Sequence, residues 1–140
     1  MGTNAITNGV YGIAIGTGSE QDSYGITVGQ DSQADSYGVT VGAFAGTKHV
    51  DNNTVYTVAL GAFAQQNANP GDETGIGAIA IGTLAGDSNQ GANSIAIGRY
   101  AGRNNQAAKS IVINATDSNL ENTTADSLVI KPIRNATMTT

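Results

Sequence analysis

A short triplet of aliphatic, small and aliphatic residues, usually closed by glycine, recurs along this chain. It reads Ile13-Ala14-Ile15-Gly16, Ile26-Thr27-Val28-Gly29, Val39-Thr40-Val41-Gly42, Val58-Ala59-Leu60-Gly61, Ile79-Ala80-Ile81-Gly82 and Ile95-Ala96-Ile97-Gly98. Two degenerate copies follow, Ile111-Val112-Ile113-Asn114 and Leu128-Val129-Ile130-Lys131. The copies start 13, 13, 19, 21, 16, 16 and 17 residues apart. Each alternates large and small with period two, the mark of a strand whose faces differ. The glycine behind it supplies a turn with no Cβ penalty. Thirteen residues are too few for a strand, a covering helix and a returning strand, so βαβ units are excluded. They suffice for two short strands and two turns. The pattern predicts an all-β parallel β-solenoid of about eight short coils, stacked by strand hydrogen bonds at ~4.8 Å.

Flanking positions keep the same register. Tyr11, Tyr24, Tyr37 and Tyr56 stand two residues ahead of a triplet. Phe44, Phe63, Leu84 and Tyr100 stand two residues behind a closing glycine, each followed by Ala45, Ala64, Ala85 or Ala101. In-register stacking turns these into ladders, aromatic on aromatic and aliphatic on aliphatic.

A coil this short encloses little, and its interior is expected to take the two large residues of each triplet. At ~25 cal/mol per Å² of buried apolar surface the gain is modest. Ordering a residue costs ~1.5 kcal/mol, so a lone chain of such coils is marginal. The middle residues then point outward: Ala14, Thr27, Thr40, Ala59, Ala80, Ala96, Val112 and Val129. Such a column of small residues suits close approach by other copies about an axis parallel to the rod.

The segment Asn93-Ser94-Ile95-Ala96-Ile97-Gly98-Arg99-Tyr100-Ala101-Gly102 has an echo in Gly77-Ala78-Ile79-Ala80-Ile81-Gly82-Thr83-Leu84-Ala85-Gly86. Together they resemble the head repeats of trimeric autotransporter adhesins, the YadA-like heads. The resemblance spans residues 9–134 and is most specific over 75–115. Before that, the 13-residue coils with their Thr-centred triplets depart from it. It implies a left-handed parallel β-roll assembled as a homotrimer, with attachment to host surfaces as its function. Similar repeats occur in fibre proteins of phages and large viruses, where the head ends in an exit that Pro132-Ile133-Arg134 resembles. The expected organisation is a solenoid head over residues 1–134 and an exit segment over 135–140. The expected place is a virion or cell surface.

Composition narrows the function classes. The 140 residues include 19 glycines but two prolines, which is not the make-up of a disordered Pro/Gly linker. There is no Cys, hence no disulfide framework and no thiolate metal site. The net charge of −5 is uneven: residues 1–98 hold one base, Lys48, and eight acids, whereas residues 99–140 hold five bases and three acids. An acidic chain without a basic stripe is a poor partner for nucleic acid. No apolar run approaches the ~20 residues that span a bilayer, so no membrane insertion is expected. The segment Met1-Gly2-Thr3-Asn4 has neither a basic nor an apolar region of a signal peptide.

Catalytic chemistry finds little footing. His49 is the only histidine, sits in a polar stretch and has no serine nucleophile motif beside it. Three copies of His49 meeting on a threefold axis would make a metal site, but nothing places it there, and no metal or other cofactor is expected. Asp22 and Asp35 occupy equal positions in successive coils and read as turn aspartates. Gly16-Thr17-Gly18 opens no helix, so a nucleotide fingerprint is rejected. The hexapeptide helix of acyltransferases needs turns in multiples of six, which these spacings are not. An ice-binding face needs a longer Thr ladder than Thr27 and Thr40. Asn-x-Ser/Thr sequons occur at Asn52, Asn114, Asn122 and Asn135.

Recognition is expected where the coils are enlarged, because inserted segments of a solenoid emerge as loops on one side. The two long spacings place Lys48, His49, Asp51, Asn52 and Asn53 in one loop. They place Gln65, Gln66, Asn67, Asp72 and Glu73 in the other. This amide and carboxylate content suits hydrogen bonding to a host-surface glycan or a polar protein receptor. The expected function is attachment, not catalysis, with a passive fibre or capsid spacer as the alternative.

Overall fold

The structure, a computed structural model, describes residues 2–34, 37–46, 56–66 and 75–133. Every triplet is a strand. The elements are β1 (Ile6–Thr7), β2 (Ile13–Ile15), β3 (Glu20–Gln21), β4 (Ile26–Val28), β5 (Gln33–Ala34) and β6 (Val39–Val41). They continue with β7 (Val58–Leu60), β8 (Ile79–Ile81), β9 (Ile95–Ile97), β10 (Ile111–Asn114) and β11 (Leu128–Lys131). The triplet strands form one eight-stranded sheet in the order β11-β10-β9-β8-β7-β6-β4-β2, and β1-β3-β5 form a second sheet of three. All pairings are parallel and triplet sits on triplet, as in Ala59↔Ala80, Ala80↔Ala96 and Ala96↔Val112. The chain is thus an all-β solenoid of about seven turns, one fewer than the triplet count suggests.

The closing glycines extend the ladder beyond the triplets. Gly82 N–H donates to Leu60 O at 2.7 Å and Gly98 N–H to Ile81 O at 2.7 Å. Gly82 has φ 128°, and a Cβ there would lie 2.7 Å from the carbonyl carbon of Gly98, so no other residue fits. The 13-residue coils complete themselves with the short return strands β3 and β5. Later coils replace these with turns that carry single parallel bridges, Ser88↔Asn104 and Ala101↔Leu120.

The alternation is as expected, but its phase is reversed. The middle residues of the triplets face the interior of the chain's own coils. Thr27, Ala59, Ala80, Ala96 and Val112 have no exposed surface, and Thr40 has almost none. Ala14 and Val129, at the two ends of the stack, are half-buried because each has only one neighbouring coil. The outward seam of small residues expected from the sequence is therefore the inner wall. The reason is width. Ala64, Ala85, Ala101 and Leu120 come from the other side of the coil into the same buried cluster as Ala59, Ala80, Ala96 and Val112. Where both walls are alanine, Ala59, Ala80 and Ala96 with Ala64, Ala85 and Ala101, the close-packed space leaves no room for isoleucine. A one-residue change of phase exchanges the faces of every strand.

The interior is also polar. Gln90 Nε2 donates to Ile79 O at 3.0 Å, Gln106 Nε2 to Ile95 O at 3.0 Å and Asn122 Nδ2 to Ile111 O at 3.4 Å. Each amide comes 11 residues after the first residue of its triplet, so one device recurs in three successive coils. In the 13-residue coils Thr27 Oγ1 donates to Gln21 Oε1 at 2.7 Å, and Gln21 Nε2 to Asp22 O at 2.9 Å. These side chains are buried, so their hydrogen bonds offset a desolvation cost that would otherwise be unmet.

Candidate functional site

With the small residues inside, the large ones line the outside. One column runs from Ile13 through Ile26, Val39, Val58, Ile79, Ile95 and Ile111 to Leu128; the second runs from Ile15 through Val28, Val41, Leu60, Ile81, Ile97 and Ile113 to Ile130. Mid-stack members stay open despite neighbours on both sides: Ile81 is 37% exposed and Ile97 38%. At roughly 60 Å² open per side chain, the face offers on the order of 1,000 Å² of apolar surface, more than monomers ordinarily leave in water.

Aromatic ladders flank it. The ring centroids of Tyr11, Tyr24, Tyr37 and Tyr56 follow one another at 5.6, 5.1 and 5.4 Å. Phe44 and Phe63 stack at 5.2 Å in a second ladder. Where that column reaches Tyr100, the guanidinium carbon of Arg99 lies 4.5 Å and that of Arg103 5.4 Å from the ring centroid. Arg99 also donates to the Tyr100 hydroxyl at 2.8 Å, and Arg103 pairs with the mostly buried Asp87 at 3.5 Å. These two bases are thus engaged within the chain.

The enlarged coils are only partly described. Lys48, His49, Asp51, Asn52, Asn53, Asn67, Asp72 and Glu73 lie outside the described residues, as does Asp35. Gln65, expected in a recognition loop, is buried instead, and its amide donates to Gly75 O at 3.2 Å. It serves the polar interior because the wall position next to Ala64 points inward. Gln66 is half-buried. Among the described residues no cluster of three or more His, Cys, Asp or Glu could hold a metal ion. No helix among them is long and apolar enough to cross a membrane. Asp22 accepts from Asn8 Nδ2 at 3.3 Å.

Two sequons turn out to be structural. Asn114 is buried and donates to Arg99 O and Ser118 O, both at 2.8 Å, while its Oδ1 accepts from Thr116 N and Oγ1. Asn122 accepts from Thr124 N at 3.2 Å and Ser127 Oγ at 3.0 Å. The hydroxyl residue two places on belongs to a side-chain-closed turn, a local hydrogen-bonding habit of Asn. The 16-residue recurrence of Gln90, Gln106 and Asn122 was present in the sequence, but a search for apolar triplets passes over it.

Comparison with family models, with curated proteins and with solved structures returned no match.

Proposed function

We propose that this chain is the head of a surface fibre, on a virion or a cell, that assembles as a homotrimer of left-handed β-solenoids and acts by attachment. The observation that carries it is the pair of outer aliphatic columns. A chain whose own core is alanine, threonine and buried amides keeps its largest apolar side chains outside, and a shared axis between copies removes them from water. In this reading the seam lies on the columns of Ile79 and Ile81, not on the column of Ala80 and Ala96. Repetition about the axis presents each ligand-binding element three times, so weak contacts to a host glycan or protein receptor gain by avidity. The resemblance of residues 77–102 to YadA-like head repeats supports the same reading.

Light scattering tests the assembly. A species near three times the 14.1 kDa chain mass supports the trimer, and one near 14.1 kDa defeats it. Attachment is tested by deleting residues 47–55 and 67–74 and comparing adhesion to cells. Lost adhesion with an intact trimer supports binding through those loops. The second reading, a passive spacer, is favoured by the unbroken strand register and predicts a rod that adheres to nothing.

A further inference from the structure

Three coils place a tyrosine where the chain turns into the strand, on left-handed backbone: φ is 68° at Tyr11, 63° at Tyr24 and 64° at Tyr37. In the last four coils the same position is Gly77, Asn93, Lys109 and Asp126, with φ 66°, 55°, 55° and 53°. The turn therefore closes without an aromatic ring. Glycine, asparagine and aspartate tolerate this region, whereas tyrosine, like Lys109, carries a conformational cost there. Tyrosine is not what the turn itself requires.

The rings form a continuous exposed ladder, with Tyr24 at 51% and Tyr37 at 46% exposure. Tyr24 and Tyr37 are parallel to within 3°, so they cover each other's faces and turn edges and hydroxyls outward. An aromatic edge carries the positive part of the ring quadrupole, which suits oxygen lone pairs and disfavours a cation. The charged residues described in the same coils are Glu20, Asp22 and Asp31, all carboxylates, so an anionic chain is repelled. An uncharged polyhydroxy chain meets both conditions. Its oxygens face ring edges and phenols, and its hydroxyls can donate to carboxylates. An extended β-linked pyranose chain also advances by close to one ring spacing per sugar.

We propose that the Tyr11–Tyr24–Tyr37–Tyr56 ladder binds an uncharged, extended polysaccharide laid along the rod, about one sugar per coil. This rests on the attachment reading and names a site within it. The chain has no Trp and five Tyr, so tyrosine fluorescence reports largely on the ladder. The probes are a β-1,4-linked N-acetylglucosamine hexamer, hydroxyethyl cellulose and galactomannan, with dextran sulfate as the anionic control. Wild type should titrate with an uncharged probe and not with the control. The Tyr24→Asn/Tyr37→Asn variant, which installs the residue type of Asn93, should weaken binding at least about tenfold while keeping its fold and oligomeric mass. Wild type that ignores all three uncharged probes overturns the proposal, as does a variant that binds undiminished. A variant that loses its oligomeric mass also overturns it, because the rings then belong to a contact between copies. Adhesion to cells is scored separately. A chain that adheres yet ignores the probes sinks the ladder alone, whereas one that binds them yet adheres to no cell sinks the attachment reading alone.

Discussion

The phase of the strand alternation can be tested by comparing two adjacent residues. Ala96 has no exposed surface, pairs with Ala80 and Val112 in the coils on either side, and shares its cluster with Ala101. Replacing it by leucine adds three carbons to a space lined by methyl groups. Overpacking of this kind costs about 3 kcal/mol, the upper end of its usual range, because neither wall can retreat without breaking strand hydrogen bonds. Ile97, one residue on, is 38% exposed in the single chain. Ile97→Ser removes the covered part of its side chain and costs one chain about 1–2 kcal/mol. In the trimer the remaining surface is lost in each of three copies, roughly 1 kcal/mol apiece, which raises the dissociation constant about a hundredfold. Urea midpoints by circular dichroism, read at fixed protein concentration, give the first quantity, and light scattering across a dilution series gives the second. The expected pattern is Ala96→Leu unstable, and Ile97→Ser folded but dissociated. A stable Ala96→Leu beside an unfolded Ile97→Ser would show the large residues to be inside and refute the reasoning.

Three further outcomes follow from the interior. Gln106→Glu places a carboxylate where the amide donates to Ile95 O, Ser110 O and Ser110 Oγ at 3.0, 3.2 and 3.2 Å. Burial and facing oxygens push that carboxyl above its usual ~4.3, so the variant is closest to wild type below about pH 4 and loses stability as pH rises. The deficit at neutral pH should reach about 3–5 kcal/mol in urea titrations, and a flat pH profile would contradict it. Gly82→Ala should cost at least about 2 kcal/mol through its φ and the contact with Gly98, measured by thermal melting. Expression through a glycosylating compartment should leave Asn114 and Asn122 unmodified in the folded protein, and a glycan at either by mass spectrometry would contradict their buried hydrogen bonding.

Much of the architecture is legible in the order of residues. The triplets Ile79-Ala80-Ile81 and Ile95-Ala96-Ile97 announce strands, and their spacing excludes covering helices. The Tyr and Phe positions announce stacking, which the ring distances carry through. What alternation alone does not decide is which face is inside, because period two is symmetric under exchange of the faces. A deciding clue existed in Ala45, Ala64, Ala85 and Ala101. A second wall of alanines implies an interior too thin for isoleucine. Gln65 is placed at the start of an enlarged loop by the 21-residue spacing from Val58 to Ile79. Its burial follows from the same thinness, since a narrow coil brings backbone carbonyls within reach of a side-chain amide. The candidate loop residues from Lys48 to Asn53 lie outside the described part of the chain, so their role rests on composition.

The pairing of each strand with only its immediate neighbours gives the rod a modular length. Excising residues 26–38 would bring Val39 onto Ile13 in the register that Ile26 now occupies, with valine and threonine replacing isoleucine and threonine. Duplicating such a unit would lengthen the shaft by one rung and leave every other rung as it was. Reach can thus be inherited as a number of copied segments, adjusted by recombination between near-identical stretches without redesigning either end.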